Sequence, residues 1–200
     1  MYRAHKTPAL IMRKTIMRVI AGSARRLRLV APYGLDTRPT QDIIKETLFN
    51  IIQNEIPGSI FLDLCAGSGA IGIEAVSRGA QRSYLVERDR RAIACIEANV
   101  HKTHLEDQII IMKTDVLNAV HNIHEKQVDV IYLDPPYEAG LEEPVLRELS
   151  RAPYVTQNTL IIVEAALDTD FDFVSGLGME ISRVKGYRSQ KHVFIRKAAV

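Results

Sequence analysis

From Ser59 onward the chain repeats one rhythm: a short apolar run, a turn, then an amphipathic stretch. The runs SIFLDL (59–64), RSYLVE (82–87), QIIIMK (108–113), VDVIYL (128–133) and TLIIVEA (159–165) are too continuously apolar for strands with one wet face. Residues 70–79, 89–103, 115–124 and 140–150 read as the helices that cover them. Gly79 closes the first, Asp89 opens the second, and Pro144 fits the first turn of the last. Strands buried on both faces and alternating with helices specify a doubly wound α/β sheet, mostly parallel. Its ligand belongs at the carboxyl ends of the strands. Residues 179–197 break the rhythm and read as two strands around Lys185-Gly186-Tyr187-Arg188, an antiparallel finish.

Upstream, residues 18–32 read as two short strands around Gly22-Ser23, with arginines on the second limb. Residues 38–58 read as a helix with Thr40 as N-cap and Asp42 in the positive first turn. Ile44, Leu48, Ile51 and Ile52 form its apolar stripe, and Pro57-Gly58 its stop. Residues 1–16 lack periodicity and are expected to be a flexible tail.

Net charge of +2 conceals an asymmetry. Residues 1–35 carry eight Lys/Arg and no acid, and residues 183–200 carry six and no acid. The middle holds the other 12 basic residues against all 24 acids. An acidic body with basic ends suits a polyanion-binding protein. No apolar run approaches the roughly 18 residues of a membrane span, so no membrane partner is expected. The basic N-terminal stretch lacks the apolar core of a secretory leader. Two cysteines, Cys65 and Cys95, without metal-ligand spacing, fit a reducing cytoplasm.

The first expected strand runs into DLCAGSGAIG, which contains Gly67-x-Gly69-x-x-Gly72 between strand and helix. Glycines let the backbone approach a ligand closely, and the helix start offers free N–H groups. Glu87 closes the second strand, where a carboxylate can accept from both ribose hydroxyls. Asp115 closes the third, where it can face an adenine amino group, cap the next helix, or do both. In a dinucleotide fingerprint the first glycine follows the strand almost at once. Here three residues separate Asp63 from Gly67. The longer loop, with an acid at its base, better suits a ligand with a cationic amino-acid end, S-adenosylmethionine.

The fourth strand ends in Asp134-Pro135-Pro136-Tyr137, at the same sheet edge. A nucleobase amine is a poor nucleophile because its lone pair is delocalised into the ring. Two acceptors fixed on its N–H groups, the Asp134 carboxylate and the Pro135 carbonyl, would push nitrogen toward tetrahedral geometry. The two prolines hold that carbonyl in place, and Tyr137 can stack on a base that has left its helix. The pairs His101/His104 and His121/His124 have metal-like spacing but read as last-turn histidines facing the helix dipole, and no metal is expected. Cys65 reads as a small loop residue, not a nucleophile.

Together, DPPY after the fourth strand, DLCAGSGAIGIEAVSRGA and RPTQDIIKETLFN resemble the RsmD family over about 17–197. These are bacterial methyltransferases acting on a guanine 2-amino group in small-subunit (16S) ribosomal RNA. The resemblance implies a class I S-adenosylmethionine-dependent methyltransferase: Rossmann-like, with a seven-stranded mixed sheet and an N-terminal β-hairpin that helps engage RNA. Residues 17–56 would then be an RNA-engaging hairpin and helix, and 57–200 the catalytic domain. Asp63, Ala66, Gly67, Ser68 and Gly69 would line the donor's amino-acid end, Glu87 would bind ribose and Asp115 adenine. Asp134, Pro135, Pro136 and Tyr137 would hold the target base. Arg38 and Thr40 match positions expected near the active site. Arg25, Arg26 and Arg28 could meet phosphates, and Tyr187 and Arg188 could sit beside the base or cap a hairpin. The expected substrate is ribosomal RNA, in the small subunit or an assembly intermediate, and a monomer is expected. Competing readings are a DNA adenine-amino methyltransferase, a non-catalytic RNA-binding assembly factor and a nicotinamide-dependent oxidoreductase.

Overall fold

The computed structural model describes residues 17–32, 39–136 and 139–199. Its strands are β1 (Met17–Arg18), β2 (Arg28–Leu29), β3 (Ile60–Leu64), β4 (Arg82–Glu87), β5 (Ile109–Lys113), β6 (Val130–Leu133), β7 (Leu160–Ala166), β8 (Met179–Gly186) and β9 (Gln190–Lys197). Its α-helices are α1 (Pro39–Ile51), α2 (Ala70–Ser77), α3 (Arg90–Thr103), α4 (Val116–His121) and α5 (Glu142–Arg151). Seven strands form one sheet in the order β5-β4-β3-β6-β7-β9-β8. The first five in that order pair in parallel, whereas β9 is antiparallel to both β7 and β8. This is the mixed sheet expected. Strand order reverses between β3 and β6, so the ligand crevice belongs above their carboxyl ends.

Each sheet face has its own core. On one, Phe61 and Leu85 pack with Ile73 of α2, Ile96 of α3, Leu48 and Phe49 of α1, and Ile52 just beyond that helix. On the other, Leu62, Leu64, Ile131 and Leu133 meet Val120 of α4 and Val145, Leu146 and Leu149 of α5. Val19, Ala24 and Leu29 from the N-terminal segment belong to the first cluster, so this segment shares the core of the seven-stranded sheet.

Three local expectations change. The N-terminal strands are two residues long, with Met17 opposite Leu29 and Arg18 opposite Arg28. The chain between them is a long docked loop, not a tight hairpin, because α2 captures it. Glu74 accepts the Ile20 and Ala21 N–H groups (2.8 and 2.9 Å), and Ser77 Oγ accepts the Ala24 N–H and donates to Ala21 O. Gly22, at φ +84°, lies so close that a Cβ there would sit 1.6 Å from Ser77 O. Second, α1 begins at Pro39, whose fixed φ and missing N–H suit the first helical position. Thr40 is therefore inside the helix and is not its N-cap. The helix also stops at Ile51, because a turn folds Ile56 back into the core at 1% exposure. Phe49 takes the buried place expected of Ile51, which is only half-buried. Third, α4 ends at His121, three residues early, and Asp115 caps it by accepting the Asn118 N–H at 3.0 Å.

Candidate active site

The glycine loop is pinned from below and open above. Cys65 and Ala66 donate their N–H groups to Val86 O of β4 (3.2 and 2.8 Å), and Gly67 donates to Glu87 Oε2 at 2.9 Å. Asn99 of α3 donates to Ser68 O at 2.9 Å. Gly67 (φ +57°) has nothing within 4 Å of a built Cβ, so ligand can approach its backbone. At Gly72 the need is the reverse, since a Cβ would meet Leu85 Cδ2 at 2.1 Å and Ser83 Oγ at 2.6 Å. Glycine there lets α2 lie against the sheet.

At the end of β6 the pleat sets a second row of polar groups. Leu133 pairs with Val163 of β7, and Glu164 pairs with His192 of β9. Asp134, one residue on, thus falls beside Glu164, and the side chains of Asp134, Glu164 and His192 share one face. Tyr132, two residues before Asp134 on that face, donates its hydroxyl to Glu164 Oε2 at 2.6 Å. His192 Nε2 lies 2.9 Å from the same oxygen, Gln190 Nε2 donates to Glu164 Oε1, and the Tyr187 hydroxyl lies 3.1 Å from His192 Nδ1. His192 is fully buried and Glu164 retains 12% side-chain exposure.

Burial, then repulsion from Glu164 and Asp63, pushes the Asp134 carboxyl well above its ordinary range. Pro135 is buried, and its carbonyl takes no hydrogen bond from the described residues. Cys65, Ala66, Gly67, Ser68, Tyr132, Asp134, Glu164, Gln190 and His192 line one cavity of about 180 Å³ together with Met17, Asp42, Ile44, Lys45 and Leu48. The glycine loop and Asp134 therefore open into a common space, whose lining Met17 and α1 share.

A family described as Conserved hypothetical protein 95 matches residues 17–195. The ribosomal RNA small subunit methyltransferase D of Escherichia coli K12 is 31% identical over 154 residues, 76% of each chain. The chain belongs to the RsmD family. A putative rRNA methyltransferase of Bacillus subtilis, YlbH, is 35% identical over 150 residues, 74% of this chain and 82% of that one. The solved structure of the putative methyltransferase yhhF from Escherichia coli superposes with a TM-score of 0.77 at 26% identity, covering 92% of this chain and 99% of that one.

Within this RsmD-family site, the residues expected at the donor end divide. Ala66, Gly67 and Ser68 line the cavity. Gly69, at φ +78°, starts α2. Asp63 does not line the cavity: it is 1% exposed beneath the loop and accepts the Gly72 N–H at 3.0 Å. Glu87 stands at the rim, where its other oxygen accepts the Arg88 and Asp89 N–H groups. Asp115 stands at the end of β5, outside that cavity. Tyr137 and Arg38 lie outside the described residues, as does the Thr40 side chain. Arg25, Arg26 and Arg28 are exposed. Arg25 and Arg26 line a second cavity of about 490 Å³ with Arg18, and Asp42 borders both cavities. Arg188 is exposed in the β8–β9 turn.

Cys65 is no nucleophile, since burial first and nearby carboxylates second push its thiol up to about 12. His101 pairs with Glu106 at 2.9 Å and His121 with Glu148 at 3.4 Å. Among the described residues no group of three or more His, Cys, Asp or Glu side chains gathers as a metal site.

Sequence reading missed Glu164, Gln190, His192 and the Tyr132 hydroxyl. An acid inside TLIIVEA was a usable signal of the kind that marked Glu87, and so was a histidine in the otherwise apolar HVFI.

Burial, opposed by the Gly72 N–H and reinforced by Glu87, raises Asp63 from 3.8 to about 7. The native state thus holds a proton that the unfolded chain releases. Its contribution to stability is full below about pH 4 and is lost as pH rises through about 7. From 3.8 to about 7 the linkage amounts to at most about 4 kcal/mol. Asp63→Asn keeps an acceptor for Gly72 and should flatten this decline. Urea unfolding from about pH 4 to 8 measures it, and an unchanged slope would remove Asp63 as its source.

Proposed function

We infer that this chain is a ribosomal-RNA methyltransferase, and we propose that it methylates the exocyclic 2-amino group of a guanine in small-subunit RNA with S-adenosylmethionine as donor. The observation that carries the reading is the shared cavity: the Gly67 loop and Asp134 face one space at the strand ends. The loop fits the donor, with an open backbone at Gly67, Glu87 closing β4 where ribose would lie, and Asp115 capping α4 just after β5 where adenine would lie. The donor supplies an electrophilic methyl on a sulfonium; the protein supplies everything that makes the amine attack it.

Asp134 and the Pro135 carbonyl accept the two amine N–H groups and draw the nitrogen lone pair out of conjugation. Burial favours protonated Asp134, and a sulfonium nearby would favour its ionised, accepting form. The side chains of Ile44, Lys45 and Leu48 line the same cavity and would help exclude water from it. Outside the cavity, exposed Arg25, Arg26 and Arg28 would hold phosphates, which gives affinity without sequence readout. A non-catalytic assembly factor would have no use for paired acceptors at a donor site.

Purified protein with methyl-labelled donor is expected to label small ribosomal subunits, or their RNA, from cells lacking the enzyme. Digestion should place the label on the 2-amino group of one guanosine. Label on DNA and none on subunit RNA would refute the assignment. In the same assay, Arg25→Ala/Arg26→Ala should weaken RNA binding and flatten its salt dependence by a slope of about 1–2; an unaltered slope would take these arginines out of the interface.

A further inference from the structure

Glu164 has a place in the cavity that methyl transfer alone does not explain. It is the neighbour of Asp134 across the β6–β7 pair, and every group the described residues aim at it can donate: the Tyr132 hydroxyl, Gln190 Nε2 and His192 Nε2. Three donors facing one carboxyl group use it as an acceptor and fix its rotamer. Oε2 already serves two of them, Tyr132 and His192. Oε1 serves Gln190 alone among the described residues, which leaves acceptor capacity on the side chain's exposed part. Removing an amine proton would call for a base with free lone pairs at the amine itself. A braced acceptor one strand away from Asp134, at the roughly 4.8 Å strand spacing, is instead suited to a second N–H on the same base edge.

We propose that Glu164 is the specificity-determining acceptor of the target base. It takes the ring N1–H of guanine while Asp134 and Pro135 hold the adjacent 2-amino group. Tyr132, Gln190 and His192 are the positioning residues that brace it, and Tyr187 braces His192. The inference rests on the guanine reading above and deepens it. Guanine presents a ring N–H beside its amine, so two neighbouring acceptors match it. Adenine presents an amine beside a ring nitrogen lone pair, which would face the Glu164 carboxylate acceptor to acceptor. A site built around a hydrogen bond rejects the analogue that lacks it, because the buried acceptor is left unpaired.

The test uses small subunits reconstituted with RNA joined from segments, so that the mapped target nucleotide is guanosine or 2-aminopurine ribonucleoside. The analogue keeps the 2-amino group, but its N1 carries a lone pair in place of the proton. Wild-type enzyme is expected to methylate guanosine about 10–100-fold faster than the analogue, in line with the discrimination of a well-made base-edge contact. Glu164→Gln can turn an amide N–H toward N1 and should narrow that preference to about threefold or less. Glu164→Asp, still an acceptor, should slow both substrates and keep the preference. A wild-type preference near unity overturns the inference without any variant, and so does a Glu164→Gln enzyme with the wild-type ratio. Failure to label the guanosine subunit with wild-type enzyme would instead overturn the guanine reading itself. Calorimetry with S-adenosylmethionine on each variant separates loss of base recognition from loss of the fold, since donor affinity should stay within about twofold.

Discussion

Asp134→Ala is expected to cut methyl transfer by about 10²–10³-fold, the usual cost of removing one preorganised electrostatic group from a reacting centre, while donor affinity changes little. On the reading proposed above, the carboxylate is the acceptor that activates the amine, whereas the Gly67 loop, with Glu87 and Asp115, would hold the donor. The variant should not be unstable. Asp134 is half-buried, and both desolvation and repulsion from Glu164 and Asp63 oppose its charge, so its removal relieves strain and the melting temperature should hold or rise. This combination distinguishes a functional carboxylate from a structural one, which would lose activity and stability together. Single-turnover rates with saturating donor, calorimetry and a thermal melt decide it. Asp134→Asn should fall between, because its amide oxygen accepts one N–H without charge. Turnover by Asp134→Ala within about tenfold of wild type would leave the Pro135 carbonyl as the principal acceptor.

The parts of this site legible in the sequence were those with a local signature. Gly67-x-Gly69-x-x-Gly72 announces itself because a tight turn and a close helix both demand glycine, and Gly72 proves to be the glycine of close packing. The DPPY turn announces itself because two prolines after an apolar strand have few uses. Both follow strands whose continuous apolar runs place them at one sheet edge. What stayed hidden depends on register. Glu164 becomes a neighbour of Asp134 only when β7 lies beside β6, and His192 meets it only because β9 runs antiparallel into that position. No spacing along the chain encodes those pairings. Asp63 was legible as a loop-base acid, yet its burial under Gly72 is a packing fact. The N-terminal loop was misread for the same reason. Its shape is set by Glu74 and Ser77, more than 50 residues away in sequence.

Glu74 carries the other large expected effect. It has 0% exposure and binds four groups: the Ile20 and Ala21 N–H groups, Arg78 Nε at 2.8 Å and Lys45 Nζ at 3.1 Å. Lys45 is itself 5% exposed and donates to Arg18 O at 2.7 Å. One carboxylate on α2 thus ties α1 and the basic N-terminal loop to the sheet. Glu74→Ala would leave a buried ammonium and two half-buried N–H groups without their acceptor, and breaking such a pair from one side costs about 3–5 kcal/mol. Burial already lowers Lys45, opposed mainly by Glu74; without Glu74 its proton is held less tightly, and the remaining penalty falls on the backbone amides. The loss should appear as a lower urea midpoint. Replacing both partners, Lys45→Met with Glu74→Gln, should recover part of it, because the uncompensated charge is gone and an amide oxygen can serve one N–H. The functional consequence is selective. Loosening residues 17–32 displaces Arg25 and Arg26 and the Met17 wall of the cavity, so RNA binding should weaken more than donor binding. A destabilisation under about 1 kcal/mol would mean that the loop is held by Val19, Ala24 and Leu29 in the core, with the buried ion pair adding little.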